Sequence, residues 1–159
     1  MRALKLVQHM KTNAEVMSDQ LVDRIRSSGR CKDLLQKVPE SEQKQYGVEI
    51  FRDLTEWLAN EADAIIEQQY VSIGVRRRNQ GVPISDLFCG VSTAREYLWD
   101  YMQQECLYDE AVDFWGGVQL LKSLNRFFDR VFYFALLGYQ NAELSESAAM
   151  SFVAKRRSA

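Results

Sequence analysis

Histidine occurs once in this chain, as His9, and proline only twice. A metal site built from several imidazoles is therefore impossible. No histidine after residue 9 exists to act as the late proximal ligand that haem requires in a helical fold. Two Pro and 8 Gly in 159 residues are too few for a turn-dense all-β chain. Cysteine is sparse and odd in number, at Cys31, Cys89 and Cys106. No C-x-x-C pair is present, so neither zinc nor thioredoxin-type chemistry is suggested. Cys89 and Cys106 sit on one expected helix, about 25 Å of rise apart, which is too far for a disulfide. Reduced thiols in a cytoplasmic protein are the expectation. No apolar run reaches the length of a membrane span, and the first residues lack a signal-peptide pattern. Neither sign of charge dominates: 20 Lys and Arg stand against 22 Asp and Glu, a net charge of -2. That balance argues against a general nucleic-acid binder.

What is present is helical periodicity. A hydrophobic fraction of 47% over this length supports one well-buried core. Apolar positions at three- and four-residue spacing predict a helix over residues 3–27, carrying Leu6, Val7, Met10, Val16, Met17, Leu21, Val22 and Ile25. Gly29 follows as a helix stop. A short helix over 32–38 ends at Pro39. The next stripe is Tyr46, Ile50, Leu54, Trp57 and Leu58, with Asn60 as a cap for the following segment. That segment carries Ile65, Ile66, Tyr70 and Ile73 into Arg76-Arg77-Arg78. Gly81-Val82-Pro83 breaks the chain, with Gly at a helix end and Pro at a new start. A helix then runs from Ile84 to near Leu107. The last long helix, from about Asp109 to Gly138, looks nearly all-round apolar, with Gly116-Gly117 as a kink or a close crossing. Residues 143–159 read as a frayed helix or a polar and basic linker. The expectation is an all-α domain of six or seven helices over residues 1–142, with a tail at 143–159.

Few residues point to chemistry. Glu-x-x-His pairs, phosphate loops and nucleophile elbows are all missing, so no catalytic residue is expected. Arg95 interrupts an apolar stripe formed with Val91, Leu98 and Met102. It is expected either in a buried pair, with Asp129 or Asp113 as partner, or snorkelling at the stripe edge. Asp129 and Arg130 lie on the less apolar face of the last helix and can meet another helix or a second subunit. Trp99, Trp115 and Phe128 belong to an aromatic cluster that either lines a ligand pocket or is plain core. The three arginines at 76–78 suit a helix C-terminus through the macrodipole.

Three stretches carry a resemblance. They are Arg76-Arg-Arg-Asn-Gln-Gly-Val-Pro-Ile-Ser-Asp-Leu, Ala94-Arg-Glu-Tyr-Leu-Trp-Asp-Tyr, and Leu124-Asn-Arg-Phe-Phe-Asp-Arg-Val-Phe-Tyr-Phe. Together they resemble the N-terminal sensory domain family of the stressosome proteins RsbR and RsbRD, over about residues 5–142. The resemblance implies a globin-like, haem-free fold that forms homodimers and acts as a non-enzymatic sensor in the cytoplasm. It implies passage of a signal to a signalling partner or a C-terminal output domain, with no cofactor and no metal. The Gln80-Gly-Val-Pro83 turn and the Arg126-Phe-Phe-Asp-Arg130 run are its most specific parts, with Arg78, Gln80, Gly81 and Pro83 as its structural motif. A small apolar-ligand-binding protein with an aromatic-lined pocket is the alternative reading.

Overall fold

The computed structural model describes residues 2–105 and 114–158, and no strand occurs among them. Six α-helices follow one another: α1 (Arg2–Ser28), α2 (Lys32–Lys37), α3 (Glu40–Asn60), α4 (Glu67–Asn79), α5 (Ile84–Glu105) and α6 (Phe114–Arg157). A 3-10 turn, Asp63–Ile65, precedes α4. The all-α expectation holds.

Local chemistry sets most of the boundaries. Helix α1 bends at Asn13, whose φ of -118° and ψ of 15° leave the helical region. Helix α2 ends at Val38 in extended backbone, as the residue before proline must. Asn60 does not cap the next segment. It is the last residue of α3, and Glu61 turns the chain with a left-handed φ of 47°. The N–H of Glu61 closes that end on the Trp57 carbonyl at 2.6 Å.

Two close crossings organise the bundle. Helices α4 and α6 pack along much of their shared length, as do α1 and α3. A Cβ added to Gly74 of α4 would overlap the Ala135 carbonyl of α6, and one on Gly138 would overlap the Val71 carbonyl. Each glycine therefore lets the facing backbone of the other helix come into contact. At the other crossing Gly47 of α3 lies against Ser18 of α1, whose hydroxyl donates to the Lys44 carbonyl at 2.6 Å. A close crossing on the last helix thus lies at Gly138. The helix continues through Gly116-Gly117.

Phe51, Leu54, Trp57, Leu98, Leu124 and Phe127 are completely buried at the centre. The inward stripe of α6 runs from Leu120 to Tyr139, while Tyr133 faces out. The stripe of α1 also differs from its reading at one place. Val16 is exposed, because a 100° step places it beside, not behind, the buried Met17. Past Tyr139 the helix does not end. It continues to Arg157 with Leu144, Met150, Phe152 and Val153 exposed. Residues 143–157, read as a frayed helix or linker, are thus the last turns of α6. No Gly or Pro follows Gly138 to stop the helix, and Lys155, Arg156 and Arg157 complement its dipole.

Candidate functional site

The turn between α4 and α5 gathers contacts from three other helices. Arg78 reaches Glu146 of α6 at 2.7 Å. Gln80 donates its amide to Glu42 of α3 at 3.2 Å. Gly81 adopts a φ of 75°, a left-handed conformation open to glycine, and its carbonyl accepts from Lys37 of α2 at 2.8 Å. Val82 is fully buried, and its carbonyl accepts the Tyr139 hydroxyl of α6 at 2.8 Å. Pro83 starts α5, with its carbonyl accepting from Asp86 and Leu87. Asp86 in turn accepts the Leu34 N–H at 3.0 Å and so caps α2 from another helix.

Below this turn lies a buried ion cluster. Glu42 and Arg77 are 8% and 5% exposed. Arg77 donates to Glu42 at 2.7 Å, and Arg76 forks onto both carboxylate oxygens at 2.6 and 2.9 Å. The Arg76 hydrogen bond is the largest influence that lowers the Glu42 carboxyl to about 2. Burial opposes it, and Arg77 and Gln80 add to it. The Arg77 guanidinium also sits over the Tyr46 ring, 4.7 Å from its centre. About three helical turns further along α3, Asp53 accepts the buried Tyr70 hydroxyl at 2.8 Å. Burial pushes the Asp53 carboxyl up to about 6, with Glu49 and Glu56 adding to the rise, while the Tyr70 and Gln69 hydrogen bonds oppose it.

Between the α3–α4 pair and α1, α2, α5 and α6 lies a cavity of about 120 Å³. Ile25, Leu34, Ile50, Val91, Ala94 and Val131 are among the residues around it, with Tyr70 and Arg77 at its polar side. None of the described Trp and Phe side chains borders it. Phe128 is buried against Phe127, with ring centres 5.2 Å apart. Trp99 is 41% exposed on α5. Neither borders the cavity. Phe127 and Phe128 pack ring on ring, and the void is left where mostly aliphatic side chains meet Tyr46 and Tyr70. The side chain of Trp115 lies outside the described residues, as do Cys106, Asp113 and the end of the reading at Leu107.

Arg95, Trp99 and Asp129 do come together, on the surface. They border one shallow groove between α5 and α6, with Arg24, Asp100 and Asn125. Arg95 meets Asp129 at 3.9 Å, with side chains 37% and 74% exposed. The buried polar site at Arg95 is therefore corrected to a snorkelling arginine at the edge of its stripe. The same outer face carries Ile84 and Phe88, and Phe88 packs edge-on against Phe132 at 5.1 Å. Arg130 points elsewhere, toward Asp63 at 3.6 Å, next to Arg126 on Glu61 at 2.6 Å. These two pairs fasten α6 to the turn before α4.

Sequence reading missed Glu42, Asp53 and the place of Arg77. A signal for Arg77 exists in the chain. Ile66, Tyr70, Ile73 and Arg77 follow 4, 3, 4 spacing, so the arginine continues a buried stripe. Glu42 lies among exposed Glu40, Ser41 and Gln45, and nothing local marks it as the partner. Among the described residues no cluster of three or more His, Cys, Asp or Glu could hold a metal ion, and no helix is long and apolar enough to cross a membrane.

Neither the curated proteins nor the solved structures give a significant match to this chain. The profile described as RsbT co-antagonist protein rsbRD N-terminal domain matches residues 15–150, which takes in the interhelical turn, the buried ion cluster and the outer α5–α6 face. The chain belongs to the RsbRD N-terminal domain family, a family of stressosome signal-transduction sensory domains.

Proposed function

We propose that this domain is a non-enzymatic sensor that forms a homodimer and passes a signal through helix packing to a partner or output domain. The observation that carries the reading is the outer α5–α6 face. Ile84, Phe88, Trp99 and Tyr133 are exposed apolar groups beside the Arg95–Asp129 pair. A two-fold axis through such a face lets each apolar strip cover its copy. Helix α6 is about 66 Å long at 1.5 Å per residue, and its last turns extend beyond the packed core. A rod of that kind converts a small change in core packing into movement at its far end.

The proposed sensor works without haem. His9 lies on α1 beside Tyr101, not at the cavity, and a cavity of about 120 Å³ is far smaller than a porphyrin. The dimer is tested by sedimentation of the chain at micromolar concentration. A dimer that the Phe88→Glu, Trp99→Ala variant turns into a folded monomer supports the reading. A wild-type chain that stays monomeric overturns it.

The cavity favours a second reading, a site for a small apolar ligand. A dry apolar void of similar size accepts benzene or xenon. Benzene that raises the melting midpoint of the wild type, and not of Ala94→Leu, supports this reading. An equal effect on both removes it.

A further inference from the structure

Two of the thiols that are far apart in the chain, Cys31 and Cys89, are neighbours in the fold. Cys31 occupies the N-cap of α2 and is completely buried, while Cys89 on the second turn of α5 is half-buried. Cys89 packs against the core cluster that holds Cys31, close enough to add to the upward shift of its thiol. The surrounding geometry holds them there from both sides. Asp86, one turn before Cys89, accepts the Leu34 N–H of α2 at 3.0 Å. Gly90, the residue after Cys89, lies so close to the Leu34 side chain that an added Cβ would sit 3.2 Å from it. Cys89 also opens onto a surface depression that it borders with Arg30, Ser92, Thr93 and Glu96. One thiol thus meets solvent, and its partner waits behind it.

We propose that Cys31 and Cys89 form a reversible intrachain disulfide when the domain meets a hydroperoxide. Cys89 is the attacking thiol. Its thiolate sulfur bonds to one peroxide oxygen, the O–O bond breaks, and the other oxygen leaves as hydroxide and takes a proton to become water. Cys89 then carries a sulfenic acid, two electrons more oxidised. The Cys31 sulfur attacks the Cys89 sulfur, the S–O bond breaks, and the departing hydroxide takes the Cys31 proton as a second water. In sum, two thiols and one hydrogen peroxide give one disulfide and two waters. An external dithiol reverses the step by exchange. Burial pushes the Cys31 thiol up to about 12, with Cys89 and Asp86 adding to the rise, which keeps it protonated and unreactive until the sulfenic acid stands beside it. The bond ties α2 to α5 across the corner where Leu34 and Val91 border the central cavity. It needs no assumption about a signalling partner.

The test uses the full chain with Cys106→Ser, which leaves two of its three cysteines. The folded protein is treated with hydrogen peroxide, alkylated under denaturing conditions and digested. The expected result is loss of both alkylatable thiols together, a linked Cys31–Cys89 peptide at a yield independent of protein concentration, and full recovery with dithiothreitol. The linked form melts several degrees higher than the reduced form. Replacing the less buried partner, Cys89→Ser, leaves Cys31 alkylatable after the same treatment, and circular dichroism verifies that this variant is folded. The proposal is overturned if Cys31 stays free in the Cys106→Ser chain while Cys89 proceeds to sulfinic acid, or if the linked peptide appears only between chains.

Discussion

Arg77 of α4 donates to Glu42 of α3 at 2.7 Å in a place where both side chains have almost left the solvent. This pair supports the α4–α5 turn, since Gln80 of that turn donates to the same carboxylate. Helix α4 is thereby anchored at its C-terminal end to α3, while its middle is pressed on α6 through Gly74.

Glu42→Gln removes the negative charge that Arg77 is buried against. Breaking one side of a buried pair costs about 3–5 kcal/mol, and urea unfolding measures the loss. The linkage has a definite sign. The folded Glu42 carboxyl is held near 2, below its ordinary 4.5. Its contribution is complete above pH 4.5 and is lost as pH falls toward 2, by about 3 kcal/mol. The variant is expected to lack that portion of the acid transition.

Asp53 works in the opposite direction. Its folded carboxyl is raised from 3.8 to about 6, with burial as the main cause. The protonated form is favoured in the fold, so this contribution is complete below about pH 4 and lost as pH rises through 6. Asp53→Asn keeps an acceptor for the Tyr70 hydroxyl and removes the charge. Melting curves between pH 4 and 7 are expected to show a smaller decline for the variant, which is the more stable protein at pH 7. A decline equal to that of the wild type would contradict the assignment.

Gly74→Ala and Gly138→Ala each place a methyl group on a facing backbone carbonyl. A carbonyl cannot swing aside as a side chain does, so α4 and α6 must separate. The expected cost is about 1–3 kcal/mol or more, against the small gain in helix propensity that Ala brings. Denaturant midpoints of the two single variants check this, with the exposed Ala148→Gly as a control for propensity alone.

Tyr139→Phe deletes the hydroxyl that satisfies the Val82 carbonyl. Val82 is fully buried, so the orphaned acceptor costs about 1–3 kcal/mol. Hydrogen exchange of the residue 80–87 amides is expected to accelerate more than exchange in α1. Uniform acceleration would show that the turn is not held locally.

Much of the architecture was legible because it rests on short-range chemistry. Gly29 and Gly81 stop helices, Pro39 and Pro83 precede or start them, and the stripes of α1, α3 and α6 point to their buried faces. The candidate site was legible in part. Arg95, Trp99 and Asp129 gather in one groove, while Phe128 is core and Arg130 faces Asp63. A stripe reports which face turns inward, and it carries no information about what stands opposite.

The linear chain settled the helical class, the turn chemistry and the family, since each depends on residue types at fixed local spacing. Its scarcity of histidine had the same reach: one imidazole at position 9 limits the chemistry whatever the fold. Tertiary structure alone decided which charges are paired, because Glu42 meets Arg77 across 35 positions of chain. It also decided that Cys31 lies beside Cys89, and that the described Trp and Phe rings stay away from the void. Those outcomes follow from helix crossings, and the crossings follow from where Gly74, Gly138 and Gly47 let backbones touch.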